Sequence, residues 1–208
     1  MNRRTFLVGL LSFALPVACS EKPKLASIPP GKTVLAFGDS VTFGTGASSG
    51  EDWPSLLAAR TGWQIENAGL SGDTAEAAKE RIEGLLDEHR PVFVIIELGG
   101  NDFLRHRSQK AVKEDLRQII GRVKRSGAQV VLVAVPELSA LGVIAGKVGD
   151  APIYRELADE EKIPVVSNVF SEILSQPGLC ADKIHPNSKG YQHMAAGIHA
   201  YLKKAGAF

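Results

Sequence analysis

The stretch VFVIIEL, Val92 to Leu98, holds one charged residue among six apolar ones and is followed at once by Gly-Gly-Asn-Asp. An uninterrupted apolar run of this length reads as a strand buried on both faces, as in a parallel sheet covered by helices. QVVLVAV, Gln129 to Val135, is a second such run. Outward from these two, TVLAF (Thr33–Phe37), WQIENA (Trp63–Ala68) and PVVSN (Pro164–Asn168) are further strand candidates. Helical periodicity lies between them. Ala75, Ala78, Ile82, Leu85 and Leu86 share one face of TAEAAKERIEGLLDEH, with Thr74 or Asp73 as its cap and Pro91 beyond its end. Val112, Leu116, Ile119, Ile120 and Val123 share a face of KAVKEDLRQIIGRVKRSG, which Gly127 stops. Residues 189–204 are helical in pattern too. Strands alternating with helices predict an α/β fold with a five-stranded parallel sheet and right-handed crossovers. There is no internal repeat, and residues 33–208 read as one domain.

In such a sheet, ligands bind beyond the carboxyl ends of the strands. Those loops collect almost every reactive residue of the chain. The first is GDSVTFG with Ser40; the second is NAGLSGDT with Gly69 and Gly72. The third is ELGGNDFL with Gly99, Gly100, Asn101 and Asp102, and after the fifth strand comes CADKIHPNSKGY with Asp182 and His185. A serine hydroxyl is a poor nucleophile until a neutral imidazole accepts its proton. The imidazole in turn needs an acceptor on its other nitrogen to fix tautomer and orientation. Ser40 and His185 fit the first pair of roles. Asp182, three residues before His185, reaches the ring from one tight turn, which Pro186 stiffens. A tetrahedral oxyanion needs fixed donors. The backbone N–H groups of Ser40 and Gly72 and the side-chain amide of Asn101 are the candidates, and a glycine at 72 lets the backbone approach the substrate closely.

GDSV, SGDT, GGND and DKIHP resemble, in order and spacing, the sequence blocks of the SGNH (GDSL-type) hydrolases, over about Val34 to Tyr191. The resemblance implies a flavodoxin-like three-layer α/β/α sandwich. It places the family's name residues on Ser40, Gly72, Asn101 and His185, with Asp182 as third member of a catalytic triad. NAGLSGDT and ELGGNDFLR are most similar to the branch of small bacterial thioesterases, arylesterases and lysophospholipases. Val41 stands where the GDSL name has leucine, a position expected to pack rather than react. The implied activity is that of a serine esterase cleaving a small-molecule acyl ester or thioester through an acyl-enzyme, without cofactor. Two other readings use the same residues. One is a carbohydrate O-acetylesterase, for which an aromatic content of 6% offers few rings to stack on sugars. The other is an inactive binding lipoprotein, which the intact set of site residues argues against.

The N-terminus, MNRRTFLVGLLSFALPVACSEKPK, reads as an export signal over residues 1–19. Arg3 and Arg4 precede an apolar run from Phe6 to Ala18, too short to span a bilayer. RRTFLVG resembles a twin-arginine signal. PVAC resembles a bacterial lipobox, with Pro16 in place of the usual leucine, which makes Cys19 the expected lipidation site. The alternative is cleavage near Ala18 without lipid. The expected product is an exported periplasmic protein or membrane-anchored lipoprotein, with residues 20–32 as an extended tether.

The remaining features are expected to be bland. A net charge of +1 with scattered Lys and Arg argues against a nucleic-acid partner, and the protein is expected to be a monomer. Cys180 reads as an inert thiol, and with Cys19 used up no internal disulfide forms. His185, His193 and His199 are not spaced as metal ligands, and no metal site is expected. His89 and His106 read as solvated. Ser40 could also cap a helix, and Asp102 is expected to make a structural hydrogen bond to the site. The basic loop LRHRSQK, with Arg105 and Arg107, reads as a solvated run rather than a phosphate contact. In PELSALGVIAGKVG, the apolar residues Leu138 to Ile144 either pack as a short helix or line an acyl groove.

Overall fold

Five strands, β1 (Thr33–Gly38), β2 (Gln64–Gly69), β3 (Phe93–Glu97), β4 (Gln129–Val133) and β5 (Val165–Val166), pair in the order β2-β1-β3-β4-β5. All neighbours are parallel, as the apolar runs predict. The structure is a computed structural model that describes residues 23–137 and 148–208. Every residue of β3 is buried. The edge strand β2 is largely exposed, which is why it tolerates Gln64, Glu66 and Asn67. Gly38 lies level with Gly69 on one side and Glu97 on the other. The carboxyl ends of β2, β1 and β3 therefore open at one height, at the point where the winding of the sheet reverses. That crevice is the usual ligand position in a doubly wound fold.

The helices are α1 (Ser40–Phe43), α2 (Trp53–Thr61), α3 (Ala75–His89), α4 (Gly100–Leu104), α5 (Gln109–Arg125), α6 (Pro152–Glu161), α7 (Val169–Leu174) and α8 (Ser188–Ala205), with a 3-10 turn at Pro177–Leu179. One row packs α3 on α5 and α5 on α6, and the other packs α2 and α7 on α8. Together they cover the sheet as the outer layers of a sandwich. Local chemistry fixes the starts. Thr74 caps α3 by accepting from Ala77 N, Ser108 caps α5 through Ala111 N, and Asn187 caps α8 through Gly190 N. In α3 the buried stripe is Ala75, Ala78, Ile82 and Leu86, with Leu85 half-buried at its edge. The helices α2, α6 and α7 were not expected. They are too short for their periodicity to stand out, and α7 opens on Asn168 in the left-handed region, which trims β5 to two residues.

From Leu25 onward the chain is not the extended tether expected over residues 20–32 but part of the body. Leu25 and Ile28 are buried in the core. Leu25 N and Ile28 N donate to the carbonyls of Ala205 and Ala207, while Trp63 Nε1 donates to Ile28 O at 3.0 Å. Ala26 exchanges two hydrogen bonds with the Gln129 side chain. Two apolar residues three apart in a proline-bearing segment give no periodic signal, so this strap is invisible without its receptor. The Leu138–Ile144 stretch and Cys19 both lie outside the described residues.

Candidate active site

Ser40 begins α1 directly beyond the carboxyl end of β1. It is not the cap, because Asp39 holds that place and accepts from Val41 N at 3.0 Å. As the first residue of the helix, Ser40 has a backbone N–H with no intrahelical partner. Its Oγ lies 2.9 Å from His185 Nε2, across 145 residues of sequence. His185 Nδ1 lies 2.8 Å from Asp182 Oδ2. The other oxygen, Oδ1, accepts from Ile184 N and His185 N at 2.8 Å each, so one carboxylate both shapes the turn and holds the ring. Burial pushes the Asp182 carboxyl up, but the bonds from His185 and the two backbone groups outweigh it and keep it below the usual carboxylate range. A bridge between Cys180 and Pro186 closes the loop. Tyr191 on α8 donates to Thr45 O at 2.8 Å, tying the histidine side of the site to the serine side.

The donor candidates face the same crevice. Gly72 has φ +82, a conformation that strains any side chain, and no acceptor among the described residues takes its N–H. Asn101 Nδ2 donates to Asp73 O at 2.9 Å and, more weakly, to Asp39 Oδ2 at 3.3 Å. Gly99, at φ +123, aims α4 at the site. A Cβ there would strike the Tyr154 hydroxyl, which itself donates to Leu98 O at 2.6 Å. Asp102 is fully buried. Its Oδ2 accepts from Ala75 N at 2.8 Å, clamping the start of α3 behind the Gly72 loop, and Oδ1 takes Arg107. Arg107 also reaches Asp115 and Glu76, and Arg105 donates to Gly72 O at 3.1 Å. The basic loop is therefore tied to the site's supports rather than merely solvated. Cys180 holds its thiol near Ile173 O, and burial together with Asp182 pushes its pKa up, which keeps it away from the thiolate.

Two supporting groups carry no motif in the sequence. Arg81, on α3, donates to Asp73 Oδ2, Ala68 O and Gly38 O, and its guanidinium lies 4.2 Å above the Phe37 ring. One side chain thus joins the ends of β1 and β2 to the Gly72 loop. Arg81→Ala leaves the buried Asp73 carboxylate without its cation. The expected cost is about 3 kcal/mol, a fall in Tm of roughly 10 °C. A thermal melt showing no change would contradict the role.

The second is Glu97 at the end of β3. It is fully buried, Oε2 accepts from Thr42 Oγ1 at 2.9 Å, and Oε1 meets no donor among the described residues. It lines the crevice beside Asp39. Burial raises its pKa well above the ordinary value, and the Asp39 charge adds to this. Asp39 is likewise raised by burial, to about 7, with Val41 N and His185 pulling it down against Asp73 and Asp102. Each group thus keeps its proton to a higher pH in the native protein than in an unfolded chain. Their contribution to stability is complete below the ordinary values of 3.8 and 4.5 and is lost as pH rises through the higher folded values. Glu97→Gln should therefore lose less Tm than the parent between pH 5 and pH 9. Parallel Tm curves would show that Glu97 is not protonated in the native state.

Val41, Leu104, Val135, Phe170 and Ile184 supply apolar walls around Ser40 and His185. Phe43 at the end of α1, Leu70 after β2 and Leu104 at the end of α4 are large apolar side chains left exposed on the same rim.

Known proteins share this arrangement of chain. The GDSL-like lipase/acylhydrolase family matches residues 36–193, from β1 through the start of α8. Thioesterase 1/protease 1/lysophospholipase L1 of Escherichia coli is 35% identical over 160 residues, covering 74% of this chain and 76% of its own. An arylesterase of Vibrio mimicus is 29% identical over 206 residues, covering 95% and 99%. The crystal structure of TesA superposes with a TM-score of 0.74 at 27% identity, covering 84% of this chain and 99% of that one. The family match takes in Ser40, Gly72, Asn101, Asp182 and His185 together, and the chain belongs to the GDSL-like lipase/acylhydrolase family.

Proposed function

We propose that the crevice hydrolyses carboxylic esters and thioesters with Ser40 as nucleophile. The observation that carries this is the unbroken relay from Ser40 Oγ to His185 Nε2 at 2.9 Å and from His185 Nδ1 to Asp182 Oδ2 at 2.8 Å. Ser40 Oγ attacks the acyl carbonyl as its proton passes to Nε2. Asp182 keeps the other ring proton on Nδ1 and stabilises the imidazolium that forms. The carbonyl oxygen becomes an oxyanion facing Ser40 N, Gly72 N and Asn101 Nδ2. For the amide, the long 3.3 Å bond to Asp39 is the one exchanged for the oxyanion, while the 2.9 Å bond to Asp73 O keeps it aimed. Collapse returns the proton to the leaving alkoxide or thiolate. Water then repeats the sequence on the acyl-enzyme and releases the acid.

The apolar walls favour an acyl chain over an acetylated sugar. Each buried methylene contributes about 0.8 kcal/mol, roughly fourfold in kcat/KM when fully buried. Across p-nitrophenyl acetate, propionate and butyrate, kcat/KM is expected to rise. A steady fall beyond acetate, with turnover of acetylated sugars, would favour the O-acetylesterase reading. We assign residues 1–19 to an export signal with lipid on Cys19, on the strength of the basic start, the short apolar run and the PVAC sequence.

A further inference from the structure

The strap runs along the pole of the molecule opposite the crevice. Ala26 is bonded to Gln129, the first residue of β4; Ile28 O takes Trp63, immediately before β2; Gly31 N donates to Gly62 O. Every one of these contacts lies at the amino ends of the strands. Ser40, Gly72, Asn101 and His185 lie beyond their carboxyl ends. Leu25 and Ile28, 8% and 3% exposed, seat the strap in the core, so it is a fixed entry point.

We infer that the chain enters the body at the pole facing away from the catalytic rim, so that a lipid on Cys19 holds the rim off the membrane and the enzyme takes its esters from the water phase. This rests on the lipidation reading above. From Cys19 to Leu25 there are six Cα steps, a maximum reach of about 21 Å. The six residues of β1 alone span about 20 Å, and the rim loops and the strap extend beyond its two ends. A fully stretched leash thus has no length left with which to turn the rim onto the surface that holds its lipid.

The helix α5 is a built-in ruler. It starts on the rim side, after α4, and ends beside the amino end of β4, about 25 Å away. The test uses the full chain made in a bacterial host that carries out lipoprotein maturation. In a Cys180→Ser background, either Lys110→Cys or Arg125→Cys, both exposed, carries a fluorophore, and the protein is reconstituted into phospholipid vesicles with a nitroxide-labelled headgroup quencher. The intact mass of the N-terminal peptide is measured first. An unmodified Cys19 overturns the anchored arrangement together with the lipidation reading. With lipid present, quenching at position 125 is expected to be at least threefold stronger than at 110. Equal or reversed quenching overturns the orientation alone. In a second arm, a Gly-Ser insertion of twenty residues after Ser20 lengthens the leash. It is expected to raise cleavage of a long-chain ester dissolved in the bilayer at least threefold while leaving a water-soluble butyrate ester unchanged. No gain on the bilayer ester overturns the substrate assignment.

Discussion

Ser40→Ala is expected to lower kcat for a short ester by about 10⁴-fold or more, with no loss of fold. The magnitude follows from what the oxygen does. Without Oγ no acyl-enzyme forms, and only the oxyanion donors and binding remain to assist water. The expectation for the fold follows from the contacts. Among the described residues the side chain makes a single hydrogen bond, to His185, and the backbone turn is held by Asp39 rather than by the serine. Removing one such bond changes stability by about 1 kcal/mol. His185→Ala should give a loss in kcat of similar size, and the double variant should be little worse than either single one, because the two side chains act as one unit. Additive losses would mean that serine and histidine serve separate steps.

Asn101→Ala is expected to reduce kcat by about 10² to 10³-fold while KM changes little. The amide contributes only once the carbonyl oxygen carries charge, so its loss is felt in the transition state rather than in substrate binding. The contacts of the side chain predict a second, smaller effect. Asp73 O loses its donor at 2.9 Å, at a cost of about 1 kcal/mol in stability. Steady-state kinetics on p-nitrophenyl butyrate, with a melt of the same sample, separates the two. A rise in KM at constant kcat would assign Asn101 to ground-state binding and remove it from the oxyanion site.

How far the sequence could be read depended on the range of the interactions. The strands β3 and β4 were legible because burial on both faces writes itself as unbroken apolar runs, and α3 and α5 because long amphipathic helices repeat their period several times. The site was legible because its members occupy strand-end loops in a recognisable order, and a parallel sheet brings all such loops to one rim. Their supports were not. Arg81 looks like one more polar residue on the solvent side of a helix, and its bonds to Ala68, Asp73 and Gly38 exist only after β1 and β2 pair. Glu97 reads as a strand residue, and its raised pKa comes from burial in the assembled sheet and from Asp39, more than fifty residues earlier. Arg105 and Arg107 read as a charged loop because Gly72 and Asp102, their partners, belong to other turns or require tertiary contact to meet them. The strap over residues 25–31 is illegible for the same reason, since its receptor is assembled from the turn before β2, the start of β4 and the last residues of the chain.

Hydrolysis in this crevice requires Ser40 to be the hydroxyl activated by His185. The direct measurement is to treat the protein with an alkyl fluorophosphonate, which phosphonylates only a serine so activated, and to locate the adduct by peptide mass spectrometry. One adduct per chain is expected, on the peptide containing Ser40, with activity lost in proportion and no adduct in His185→Ala. Full inactivation with Ser40 unmodified, or complete resistance of an active enzyme, would contradict this assignment.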